Sequence, residues 1–69
     1  MNNRTMLYEL FLYPTDSGNI KLTIYFDHHE YQVFAELNEC MSIGTHKNKR
    51  KAVKYAIKEL ITAYESINP

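Results

Sequence analysis

Two stretches of the chain alternate between apolar and polar positions. Ile20, Leu22, Ile24 and Phe26 are separated by Lys21, Thr23 and Tyr25; Tyr31, Val33, Ala35 and Leu37 are separated by Gln32, Phe34 and Glu36. A period of two puts each set on one side of an extended chain. The pattern therefore predicts strands over 20–26 and 31–37, each with an apolar inner face. Asp27-His28-His29-Glu30 reads as the hairpin loop between them. Another strand is expected over 6–13, with Met6, Tyr8, Leu10 and Leu12 on one side and Leu7, Glu9, Phe11 and Tyr13 on the other. Pro14 is expected to end it, because proline cannot donate to a ladder. Thr15-Asp16-Ser17-Gly18-Asn19 has turn chemistry, and Asn38–Thr45 is expected to cross from the last strand to a helix.

The helix is announced by a change of period. Val53, Ala56, Ile57, Leu60 and Tyr64 recur at helical spacing and form one apolar stripe of a helix over 48–66. Gly44, Thr45, His46 and Lys47 read as the loop before it, and Asn48 as its N-cap. Lys47, Lys51, Lys54 and Lys58 fall within an arc of roughly 60° beside the stripe. Two hairpins and a closing helix make an α+β domain over 1–69, of order β-β-β-α. It would be a three-stranded antiparallel sheet with one C-terminal helix on one face. Pairing the strands by their apolar faces sets Phe11 opposite Thr23, Thr23 opposite Phe34, and Lys21 opposite Glu36. The uncovered face would then show Phe11, Tyr13, Tyr25 and Phe34, an aromatic patch suited to a protein partner or a homodimer. Stacking single-stranded bases on that face would need cations beside the rings, and only Lys21 supplies one.

Composition narrows the classes. Sixty-nine residues with 45% hydrophobic and 13% aromatic content suffice for one small core and argue against disorder. The single Cys40 allows no internal disulfide, fits a reducing cytosol, and reads as a small buried residue. No apolar run approaches about 18 residues, so no membrane span is expected. The first residues lack the apolar segment of a signal peptide, so the expected location is cytoplasmic. The formal net charge is zero but polarised. Residues 1–46 carry two cations against six carboxylates, net −4; residues 47–69 carry six cations against two carboxylates, net +4. Such asymmetry makes a local positive field for phosphates or an acidic protein surface.

Catalytic and metal chemistry is not indicated. Neighbouring side chains of an extended chain diverge, so His28 and His29 do not converge on one ion, and His46 is distant. Asp27 and Glu30 flank a turn, and there is no glycine-rich phosphate loop or Ser/His/Asp arrangement. No enzyme activity, metal or cofactor is expected.

The stretch Gly44 to Leu60, G-T-H-K-N-K-R-K-A-V-K-Y-A-I-K-E-L, resembles the C-terminal half of the double-stranded RNA-binding domain family. That family's signature is G-x-G-x-(S/T)-K-K-x-A-K-x-x-A-A followed by a leucine. Gly44 takes the first glycine, Asn48 the cap, Lys49 and Arg50 the paired lysines, Ala52 the first alanine, Ala56 and Ile57 the paired small positions, and Leu60 the leucine. The match does not extend to the family's first helix. It implies a partial form of that fold, with duplex RNA gripped by its phosphates. The expected contacts are Lys47, Lys49, Arg50, Lys51, Lys54 and Lys58. Leu37-Asn38-Glu39-Cys40 and Gly44-Thr45 more loosely resemble HicB-like antitoxin domains. That likeness implies the alternative of a small inhibitor or antitoxin, of the type carried by phages or mobile elements, that occupies a host nuclease or toxin.

Overall fold

The computed structural model describes residues 7–67, the side chains of Leu7, Tyr8, Asp27 and Ile67 excepted. The expected strand start at Met6 and the side-chain directions expected for Met6, Leu7 and Tyr8 lie outside the described residues. Four strands, β1 (Leu7–Thr15), β2 (Gly18–Asp27), β3 (Glu30–Leu37) and β4 (Cys40–His46), form one sheet in the order β1-β2-β3-β4, and α1 (Lys49–Ile67) follows. Every neighbouring pair is antiparallel. The class is α+β with one helix on one face, as the periodicities predict, but with one more strand.

The additional strand is β4, where a crossing was expected. Asn38 and Glu39 form a two-residue connection, with Leu37 paired to Cys40. Asn38 takes the positive φ of 56° that such a turn needs, and asparagine adopts it more readily than most residues. Gly44, Thr45 and His46 therefore belong to a strand and not to a loop. Gly44 is buried, and a Cβ there would lie 2.5 Å from the carbonyl oxygen of Ala52 and 2.6 Å from the nitrogen of Ala56. Both are backbone atoms, so only glycine lets the helix come this close. The Ser42 hydroxyl donates to the Ala56 carbonyl across the same contact.

The other turns also follow from local chemistry. His28 and His29 have φ of 52° and 68°. Positive φ at both central residues is what a type I′ hairpin requires. β1 does not stop at Pro14: Pro14 pairs with Asn19 and Thr15 with Gly18. An edge strand tolerates proline because the missing donor can sit on its unpaired side. The Thr15 hydroxyl donates to the Gly18 carbonyl at 2.6 Å and accepts the Ser17 N–H at 3.2 Å.

The core joins Ile20, Leu22 and Ile24 of β2, Val33, Ala35 and Leu37 of β3, and Cys40 of β4 to Ala52, Ala56 and Leu60 of α1. Asn48 caps the helix: its side-chain oxygen accepts the Lys51 N–H at 3.1 Å and its carbonyl the Ala52 N–H at 3.0 Å. Its own N–H donates to Nδ1 of His46 at 2.9 Å.

One expected pairing is wrong. Phe11 lies opposite Leu22 and Tyr13 opposite Ile20, while Leu10 faces Thr23 and Leu12 faces Lys21. Opposed residues share a face, so Phe11 and Tyr13 sit on the helix side and Leu10 and Leu12 on the open side. The two-residue connection Asp16-Ser17 sets this register; a slip of one residue exchanges the faces of the whole strand. The pairings of Thr23 with Phe34 and Lys21 with Glu36 are as expected.

Candidate functional site

One helix cannot cover a sheet of four strands. At about 4.8 Å per strand the sheet is roughly 19 Å wide, and a helix with its side chains spans about 10–12 Å. α1 lies on β4 and β3. The part of β1 and β2 on the same side is left as a groove.

The groove is built from residues of both elements. Leu22 and Ile24 line its floor, Phe11 stands on the β1 side, and Lys49, Arg50 and Val53 on the helix side, around a cavity of about 400 Å³. A second cavity of about 450 Å³ lies between Tyr13 and Lys54, Ile57, Lys58, Ile61 and Thr62. A third, of about 320 Å³, has Thr15, Asp16 and Ser17 on one side and Ile61, Tyr64 and Glu65 on the other, above Ile20 and Leu37. Residues 11, 13 and 15 of β1 thus mark three successive positions, because every second residue of a strand returns to the same face. Cations border the first two positions, and Asp16 and Glu65 border the third.

The helix period explains the cation row. Arg50, Lys54 and Lys58 are four residues apart, slightly more than one turn and about 6 Å along the axis. They flank the apolar stripe on the side that turns toward β1. Lys51 lies farther round and Lys47 precedes the helix; both are exposed and border none of the three cavities. Four of the six expected cations are therefore gathered at the groove. Lys49 is ion-paired with Glu9, and its Nζ lies 5.8 Å from the centre of the Phe11 ring. Both members of the pair are substantially exposed, so their attraction is worth at most about 1 kcal/mol and a competing anion can displace it.

The opposite face of the sheet is uncovered by the helix and exposes large apolar side chains beside the Lys21–Glu36 pair. Leu10, Leu12, Met41 and Ile43 are each more than half exposed. Tyr25 and Phe34 meet edge to face with ring centres 5.6 Å apart. The expected aromatic interface thus keeps Tyr25 and Phe34, loses Phe11 and Tyr13 to the groove, and gains four aliphatic side chains. Met41 and Ile43 escaped sequence reasoning because 38–45 was read as a crossing. Their alternation with the small residues Cys40, Ser42 and Gly44 is the signal that marks a strand under a close helix. Among the described residues no group of three or more His, Cys, Asp or Glu gathers as a metal site, and no helix is long and apolar enough to cross a membrane. No family model, curated protein or solved structure matches the chain.

Proposed function

We propose that this protein is a non-enzymatic binding module that grips nucleic-acid phosphates through the basic flank of α1. The observation that carries the reading is the line of Arg50, Lys54 and Lys58 along one helix flank, joined by Lys49 at the mouth of an apolar groove. Cations at one-turn intervals suit a chain of phosphates, and they draw a polyanion by a field that the neutral net charge of the whole chain conceals. Binding of this kind releases counterions. Three to four phosphate contacts predict that the logarithm of affinity falls with the logarithm of salt at a slope of about −2 to −4. Fluorescence anisotropy with labelled RNA over a salt series measures that slope. Replacing Arg50, Lys54 and Lys58 together by alanine should abolish binding, and Lys21→Ala, on the other face, should leave it intact. Absence of binding to any nucleic acid at low salt overturns the reading.

A second reading rests on the open sheet face. Leu10 and Leu12 on β1 and Met41 and Ile43 on β4 lie on the strands that flank the Tyr25–Phe34 pair, with Lys21 and Glu36 opposite each other in one row of that face. An exposed apolar patch of this kind suits a protein partner or a second copy of the chain. A nuclease-treated pull-down that retains one stoichiometric protein, lost in Phe34→Asp, supports it as an inhibitor-type surface. Sizing across concentration separates a partner from self-association.

A further inference from the structure

The register of β1 moves two rings to the side of the molecule that carries the cations. Phe11 and Tyr13 are each 48% exposed on the helix side of the sheet. Phe11 shares a cavity with Lys49 and Arg50, and Tyr13 shares the next with Lys54 and Lys58. From this repeated pairing we infer that the groove between β1 and α1 is a single-strand track with two base-stacking positions. The inference rests on the phosphate-binding reading and names its substrate class: unpaired RNA or DNA, not duplex.

Three features of the geometry carry it. Each position combines one aromatic ring with two cations, the combination that holds single strands without reading their sequence. The midpoints of the cation pairs at 49/50 and 54/58 are about 10 Å apart along the helix, and Phe11 and Tyr13 are two strand residues apart, about 6.7 Å. That step is about twice the 3.4 Å per-strand rise of stacked DNA, so bases in the two cavities are pulled off each other and each rests on its own ring. A duplex keeps its base faces stacked inside and cannot offer them to Phe11 or Tyr13. The track is also bounded: Asp16 and Glu65 border the third cavity and repel a third phosphate. Two positions predict modest affinity and a short site.

Glu9 is the internal competitor. It holds Lys49 beside Phe11, so an incoming phosphate must take that ammonium from a carboxylate. Glu9→Gln removes the competitor. Glu36→Gln changes the net charge equally but lies on the open face, opposite Lys21.

The test is a titration of the full chain against short labelled oligothymidylate and oligouridylate strands and a duplex of equal length, at low salt. Phe11→Leu and Tyr13→Leu keep apolar bulk but remove the ring. Each should weaken single-strand binding about fivefold or more, the low end of what one stacked base contributes, and leave duplex binding unchanged. Tyr13→Phe should restore it. Glu9→Gln should tighten single-strand binding several-fold and Glu36→Gln should not. If the leucine variants bind single strands like the parent while the Arg50, Lys54 and Lys58 variant does not, the stacking track fails and the phosphate reading stands. Equal tightening by both glutamine variants also overturns the track, because it places the ligand outside the groove. If no oligonucleotide binds, the phosphate reading fails as well. Capture of an acidic amphipathic peptide in place of every oligonucleotide assigns the groove to a protein ligand and overturns both.

Discussion

Under α1 the sheet has two unlike halves. On the β3–β4 half the central residues beneath the helix are small or mid-sized, Ala35, Cys40, Ser42, Gly44 and Val33, with the larger Tyr31 and Leu37 at the ends of β3. The helix answers with Ala52 and Ala56, and backbone approaches backbone. On the β1 side of β2 the residues are large and aromatic, the helix presents Arg50, Lys54, Ile57 and Lys58, and cavities remain. Small residues close one half into core, and bulky ones hold the other open. The difference teaches that close packing and open groove are divided across the width of one small sheet.

The sharpest challenge to that division is Gly44→Val. Its added carbons meet backbone atoms of Ala52 and Ala56 that cannot change rotamer, so the expected loss is about 3 kcal/mol or more. On the open half, Tyr13→Val should cost under about 1 kcal/mol, as for a surface side chain. Urea unfolding of the two variants measures the contrast, and similar losses would show that the halves are not distinct. Next in size is a pair of neighbours on the helix. Leu60 is fully buried and Ile61 is 41% exposed on the groove wall. Leu60→Ala should cost about 2–5 kcal/mol and Ile61→Ala well under half of that, read as the shift in denaturation midpoint. Asn48→Ala removes the acceptor of the Lys51 N–H at the helix start and should cost about 1 kcal/mol, seen in thermal melts by circular dichroism. The smallest effect belongs to Glu9→Gln. Breaking its exposed pair with Lys49 should move stability by less than about 1 kcal/mol, so a change in its oligonucleotide titration cannot be charged to unfolding.

Much of this was readable from pattern. The inner faces of β2 and β3, the helix stripe and the Asn48 cap depend on spacing within one element and agree with the structure, except that Phe26 at the end of β2 is 39% exposed and the buried Ala52 joins the stripe. The cation row was readable only in part: Lys54 and Lys58 belong to the expected arc and border the groove, whereas Lys47 and Lys51 border none of the three cavities and Arg50, outside that arc, takes their place. β1 was not readable, because it is apolar on both sides: Leu10 and Leu12 compete with Phe11 and Tyr13 for the interior. The two-residue turn Asp16-Ser17 decides between them, and a five-residue turn-forming stretch does not announce which two residues will be the loop. β4 was missed because its inner positions, Cys40, Ser42 and Gly44, lack the bulk that marks a buried face. Their smallness makes sense only beside the helix they admit.

Local periodicity therefore determined the strands with one polar side, the helix and its cap, because each needs only its own neighbours in the chain. The meeting of Phe11 and Tyr13 with Lys49, Arg50, Lys54 and Lys58 was decided in three dimensions. It depends on the register of an edge strand, fixed at the Asp16-Ser17 turn, and on how closely the helix settles at Gly44; together these bring residues about forty positions apart to one groove.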